Sequence, residues 1–166
     1  MKRLILLRHA KSSWVNPELD DIDRPLNKRG KRSAKALGHW LRSNHARPEQ
    51  VFCSSARRTR ETWEELKLPG EPELRHDLYH ASPDTMMDVL RTAEARCVMM
   101  IGHNPGIALL AQTIVAEAPE HARFGDFPTG SLLIADFGIK KWTKLTGHSG
   151  SVVTFLTPHD LIETAD

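Results

Sequence analysis

LILLRHAKSSW, residues 4–14, runs four apolar residues straight into Arg8 and His9. A short continuous apolar run is the pattern of a strand covered on both faces, so Leu4 to Leu7 is predicted to be a central strand of an α/β sheet. Arg8 and His9 then fall at its carboxyl end. In open α/β sheets that is where ligands bind, and two costly polar side chains placed there ask for a ligand that needs them.

Outward from this strand the elements alternate. Asn27 to about Asn44 is predicted to be a helix with Gly30, Ala34, Leu37 and Leu41 on one stripe and Asn27 as its N-cap. Val51 to Ser54 reads as a strand, followed by a helix with the stripe Ala56, Thr59, Trp63 and Leu66. A turn at 68–72 and an extended piece around Leu74 lead to a third helix. That helix is capped by Ser82, opened by Pro83, and buries Met86, Met87 and Leu90. Cys97 to Ile101 is a further buried strand, and Gly106 to Val115 a helix. Ser131 to Phe137 and Val152 to Leu156 are strands joined by KKWTKLTGHSG as a hairpin. Ala118 to Thr129 reads as a loop over the sheet edge.

This order predicts a three-layer α/β/α sandwich whose sheet is mostly parallel with one antiparallel edge. The length of 166 residues supports one domain, 1–166. A hydrophobic fraction of 40% and a charged fraction of 27% are those of an ordinary folded protein, which excludes a disordered or fibrous chain. The net charge of +2 is too small to indicate a nucleic-acid partner. Four apolar residues after Lys2 and Arg3 are too few for a signal peptide, and no stretch approaches a membrane span. Cys53 and Cys97 lie in apolar segments without metal spacing, as buried free thiols do. A cytoplasmic protein with no membrane partner is expected.

Three predicted strand ends carry polar groups: Arg8 and His9; Ser54, Ser55 and Arg58; and GHNPG, residues 102–106, with His103. Singly each has a bland reading, as a solvated terminus, a surface arginine or a turn histidine. Arg57 and Arg60 are read as surface charges. All three ends share one sheet edge, and that coincidence favours a site. Two guanidinium groups and backbone donors at helix starts suit a phosphoryl group. Imidazole is a nucleophile toward phosphorus, and cations around His9 keep it neutral. A second histidine can stabilise the charge of the transition state.

RHA, SSARRTRET and GHNPG, in that order, resemble the histidine phosphatase superfamily, the phosphoglycerate mutase-like fold, over essentially the whole chain. RHAKSSW, DDIDRPLNKRG, DLYHASPDT and LTPHDLI are similar to its SixA-like phosphohistidine phosphatase branch. The resemblance implies that His9 becomes a phosphohistidine intermediate, that Arg8, Arg58 and His103 complete the catalytic pocket, and that Ser12 binds the substrate phosphate. It implies no cofactor and no metal. The expected partner is a phosphorylated protein of a phosphorelay or phosphotransferase system, or else a small phosphorylated molecule.

Departures from the family pattern are Ala10 in place of glycine, Val15 where the mutases have asparagine, and DLYHASPDT without the glutamate that serves larger members as general acid. Asp77, His80 and Asp84 are the candidate acids. Protonation matters less for a phosphoramidate, whose leaving nitrogen is readily protonated, so phosphohistidine is the expected scissile group. The alternatives are a small-molecule phosphomonoesterase, favoured by a deeper pocket built from Ala118 to Thr129, and a non-catalytic phospho-ligand binding module. Asp20, Asp21 and Asp23 are read as a solvated loop, and Trp14 as a floor to the pocket. GHSGS at 147–151 lacks the spacing of a nucleophile elbow, and His76 and His80 lie in a loop unsuited to a metal.

Overall fold

Leu4, Ile5, Leu6 and Leu7 are fully buried, and they divide between two cores. Leu4 and Leu6 pack in one hydrophobic cluster, Ile5 and Leu7 in the other. This is the alternation of a strand covered on both faces. The structure, a computed structural model, describes residues 1–162. Its strands are β1 (Lys2–Arg8), β2 (Gln50–Ser54), β3 (Glu73–Arg75), β4 (Cys97–Gly102), β5 (Leu132–Phe137) and β6 (Ser151–Leu156). They form one sheet in the order β3-β2-β4-β1-β5-β6. The helices are α1 (Lys28–Ser43), α2 (Arg57–Leu66), α3 (Pro83–Leu90), α4 (Gly106–Ile114) and the short α5 (Pro158–Ile162). Helices α1 and α2 supply Leu37, Leu41, Trp63 and Leu66 to one face, while α3 and α4 supply Met86, Val89, Leu90, Ile107, Leu110 and Ile114 to the other. The three-layer α/β/α sandwich is thus formed.

Strands β1 to β4 pair in parallel, and β5 runs antiparallel to both β1 and β6. The reversed strand is therefore one in from the edge rather than at it. This has a consequence for the site: the start of β5 and the end of β6 lie at the same end of the sheet as the carboxyl ends of β1, β2 and β4. Residues 127–131 and Thr157 are brought there with them.

Local signals set the helix boundaries. Asn27 caps α1 by accepting the Gly30 N–H at 2.8 Å, and Ser82 caps α3 by accepting the Thr85 N–H at 3.2 Å with Pro83 behind it. In α3 the buried residues are Met86, Val89 and Leu90, with Met87 only partly covered. The first turns of α1 carry Lys28, Arg29, Lys31 and Arg32 and no acidic residue, a placement the helix dipole disfavours.

Glycines govern how closely α1 approaches its neighbours. A Cβ on Gly38 would overlap the Leu66 carbonyl at the end of α2, a group that also accepts a hydrogen bond from Arg42. Gly38→Ala gains helix propensity of about 1 kcal/mol but forces the two helices apart. We expect a net loss of about 1–3 kcal/mol, read as a lower urea midpoint at unchanged m-value.

Candidate active site

Backbone hydrogen bonds fix His9 from both sides. Its N–H donates to the Gly102 carbonyl at 3.1 Å, and its carbonyl accepts the Gly130 N–H at 2.9 Å. The Ala10 N–H donates to Thr62 Oγ1 at 3.0 Å, and that hydroxyl donates in turn to the Arg58 carbonyl at 2.7 Å. The strand end is thereby tied to β4, the segment leading into β5, and α2 at once.

The His9 ring lies with Nδ1 2.7 Å from the Ala10 carbonyl oxygen. A carbonyl only accepts, so the proton of the neutral ring belongs on Nδ1 and Nε2 keeps its lone pair. Burial lowers the His9 pKa to about 3, and the charges of Arg58, Arg8 and Arg24 add to this against the opposing pull of the Ala10 carbonyl. The result is a neutral imidazole with a free nucleophilic nitrogen.

His103 lies beside it, with ring centroids 5.2 Å apart. Its Nε2 is 2.7 Å from Ser54 Oγ, an oxygen that also accepts the Ala56 N–H at 3.4 Å. With the Ser54 hydroxyl donating to Nε2, the ring proton sits on Nδ1, which is buried without a hydrogen-bond partner among the described residues. Burial lowers the His103 pKa to about 2, helped by His9, Arg58 and His80 and opposed by Asp21. A neutral donor is thus held ready at the pocket.

The two arginines share that unfinished quality. Arg8 donates through Nη1 to the Phe127 carbonyl at 3.1 Å, while Arg58 donates through Nη1 to the Asp21 carbonyl at 2.7 Å and through Nη2 to Asp21 Oδ2 at 3.0 Å. In both, Nε is buried without a partner among the described residues. Buried donors are rarely left unmade because each costs desolvation free energy. Two such guanidinium N–H groups beside a neutral histidine suit an anion. Burial, then repulsion from Arg58, lowers the pKa of Arg8.

The pocket, about 320 Å³, is lined by Arg8, His9, Arg58 and His103 together with Lys11, Ser12, Trp14, Asp21, Arg24, His80, Asn104 and Thr129. The three predicted strand ends therefore meet. Ser12 is in the wall, and its hydroxyl accepts from Arg24 Nη1 at 2.9 Å, which leaves its own O–H available to donate. Trp14 is 75% exposed, with the Arg24 guanidinium stacked 3.5 Å from its ring centroid. It forms a rim and not a floor.

Asp21 corrects the reading of a solvated loop. Its Oδ2 accepts from Arg58 and from the Tyr79 hydroxyl and lies 3.2 Å from His80 Nε2, while Oδ1 accepts from Arg24 Nε at 3.1 Å. Burial pulls its pKa up, but the hydrogen bonds from Tyr79, Arg58 and Arg24 outweigh this and hold it well below the usual carboxylate range. The pair with Arg24 is local, but Arg58 and Tyr79, which draw Asp21 into the pocket, lie 37 and 58 positions away.

Of the candidate acids, Asp77 is bound by Arg75 at 2.7 Å, and Asp84 is exposed in the first turn of α3. Neither lines the pocket. His80 does, at a left-handed φ of 53°. Phe127, whose carbonyl holds both Arg8 and Asn104, has a φ of 47°. Non-glycine residues are uncommon there, and at this site each delivers a functional group. His76 faces Ser55 Oγ at 3.2 Å instead of joining His80.

These features define an α/β domain with a cationic pocket built around two neutral histidines, and comparison with known proteins places it. The family model of the histidine phosphatase superfamily, branch 1, matches residues 4–81. An uncharacterized protein of Mycobacterium leprae is 30% identical over 161 residues, covering 92% of this chain and 99% of its own. The chain belongs to the histidine phosphatase superfamily. Within it the chain is SixA-like: a candidate phosphohistidine phosphatase SixA from Nakamurella multipartitia is 26% identical with a TM-score of 0.83, covering 95% and 96% of the two chains. One from Agrobacterium tumefaciens is 28% identical with a TM-score of 0.81, covering 95% and 99%. Among the described residues no helix is long and apolar enough to cross a membrane.

Because His9 and His103 are held neutral when folded, they take up protons on unfolding in acid. Their stabilising contribution is complete above about pH 6.5, their ordinary value, and is lost as the pH falls toward 3. We expect urea stability to decline over that window by up to about 1.4 kcal/mol per pH unit for each ring. His9→Ala should show a shallower decline.

Proposed function

We propose that the protein hydrolyses protein phosphohistidine through a covalent phosphohistidine on His9. The observation that carries this is the pairing of a His9 Nε2 lone pair with two buried, unpartnered arginine Nε–H groups. The phosphoryl oxygens are taken by Arg8 and Arg58, and His9 Nε2 attacks phosphorus. The bond to the leaving imidazole nitrogen breaks while His103 Nδ1–H donates to the equatorial oxygen that gains charge. Water then attacks phospho-His9, releasing inorganic phosphate and restoring neutral His9. No step in this scheme calls on a metal or cofactor.

Leaving-group chemistry selects the substrate class. Asp21 is held as a carboxylate and cannot donate a proton. His80, exposed and hydrogen-bonded to Asp21, is the group that hands a proton to the departing nitrogen and takes one from the attacking water. A phosphoramidate tolerates this solvent-facing acid, whereas an alkoxide would demand a stronger one. The small-molecule phosphomonoesterase is the second reading, favoured by the cavity that His121, Arg123, Pro128 and Thr129 help to line.

The test is paired turnover at neutral pH, with chelator present, of a phosphohistidine-bearing protein and an alkyl phosphate monoester such as phosphoserine, whose alkoxide must be protonated as it leaves. We expect kcat/KM for phosphohistidine to exceed that for the ester by about 10²-fold or more. His80→Gln should slow both reactions by about 10-fold to 10²-fold. Faster ester cleavage would move the substrate to a small phosphomonoester.

A further inference from the structure

Beside the catalytic pocket, and sharing Arg8, Lys11 and Thr129 with it, lies a larger open groove of about 890 Å³. Lys11 follows β1, Arg29 and Arg32 project from the first turns of α1, and Arg123 comes from the 118–129 loop. All four are exposed. Arg123 is paired with Asp126 at 2.9 Å, but Lys11, Arg29 and Arg32 have no ion pair among the described residues.

We infer that this groove docks an acidic polypeptide segment flanking the phosphohistidine of the substrate protein, an assignment that rests on the function proposed above. Arg29 and Arg32 stand at the positive end of α1, where folding gains nothing from them and an anionic partner gains both their charge and the helix dipole. The unpaired cations, Lys11, Arg29 and Arg32, are long, exposed side chains from two chain segments along an open trough, in which Arg123 is held by Asp126 and the one carboxylate of the lining, Asp160, holds His121. Such a spread field suits several carboxylates in a row, whereas a small anion calls for converging, buried donors like those at His9. The groove runs directly into the pocket at Arg8, so a chain lying in it presents a neighbouring residue to His9. Charge steering of this kind acts on encounter and is weakened by salt.

Two synthetic phosphohistidine peptides of equal length test this, one flanked by glutamates and one by glutamines, with phosphoimidazole as the chemistry control. At low salt the wild type is expected to cleave the acidic peptide with kcat/KM about 10-fold higher than the neutral one. The difference should reside in KM and shrink in high salt. Arg29→Gln combined with Arg32→Gln should abolish the preference while leaving the neutral peptide and phosphoimidazole unchanged. Its melting temperature should be equal or higher, since two charges opposing the helix dipole are gone. Equal use of both peptides by a wild type that cleaves phosphoimidazole would overturn the docking assignment and leave the proposed function standing. Competitive inhibition by a small polyphosphate, lost in the double variant and without any peptide preference, would reassign the groove to small polyanions and likewise overturn it. If neither peptide nor phosphoimidazole is cleaved, the phosphohistidine reading fails and the docking assignment fails with it.

Discussion

His9→Ala is expected to reduce turnover of every phosphorylated substrate by on the order of 10⁴- to 10⁶-fold, the scale of removing a covalent nucleophile. The substitution deletes the Nε2 that attacks phosphorus but leaves the backbone bonds to Gly102, Gly130 and Thr62, which hold the strand end without the ring. Arg8 and Arg58 stay in place, so phosphate or vanadate should still bind. Single-turnover kinetics together with anion binding by calorimetry separate these effects. Lost chemistry with retained binding is the expected pair of results, and a variant that kept appreciable turnover would place the nucleophile elsewhere.

Arg58→Ala is the second large effect, a loss of about 10³-fold in kcat/KM. Arg58 is 2% exposed, and Asp21 satisfies two of its nitrogens while Nε is left for substrate. Its removal deletes a preorganised donor and also frees Asp21, whose carboxylate then repels the incoming phosphoryl group. Arg58→Lys keeps the charge but cannot present the planar fork, so it should recover only part of the loss. Added guanidinium ion should partly rescue Arg58→Ala and leave Arg58→Lys unaffected. Rescue measured as kcat/KM against guanidinium concentration distinguishes a missing donor from a disturbed fold.

Much of this site was legible because its main residues sit where element boundaries fall. An apolar run must end somewhere, and Leu7 followed by Arg8 and His9 marked the carboxyl end of β1. Gly102 and His103 marked that of β4, and Arg58 lies in the first turn of α2. Asn27 and Ser82 announced their helices by capping chemistry. What stayed hidden depends on contacts between distant segments. Asp21 reads as one acid in an acidic loop until the fold brings Arg58, Tyr79 and His80 to it. Ser54 was visible at a strand end, but its hydrogen bond to His103 is a property of β2 lying beside β4. The antiparallel edge was legible because the β5–β6 hairpin is a local signal, whereas the pairing of β5 with β1 is not. The 127–131 segment reaches the site through that pairing, and Thr157 reaches the groove beside it.

In the proposed mechanism the phosphoryl group resides covalently on His9 during turnover. Mixing the enzyme with a phosphohistidine protein in a rapid-quench apparatus, quenching in alkali and mapping the product by mass spectrometry tests it most directly. A transient phosphoryl group on His9, labile to acid, stable to alkali and formed faster than phosphate is released, is the predicted result. Release of phosphate in a single phase with no label on His9 at any time would contradict it, showing that water attacks the substrate directly.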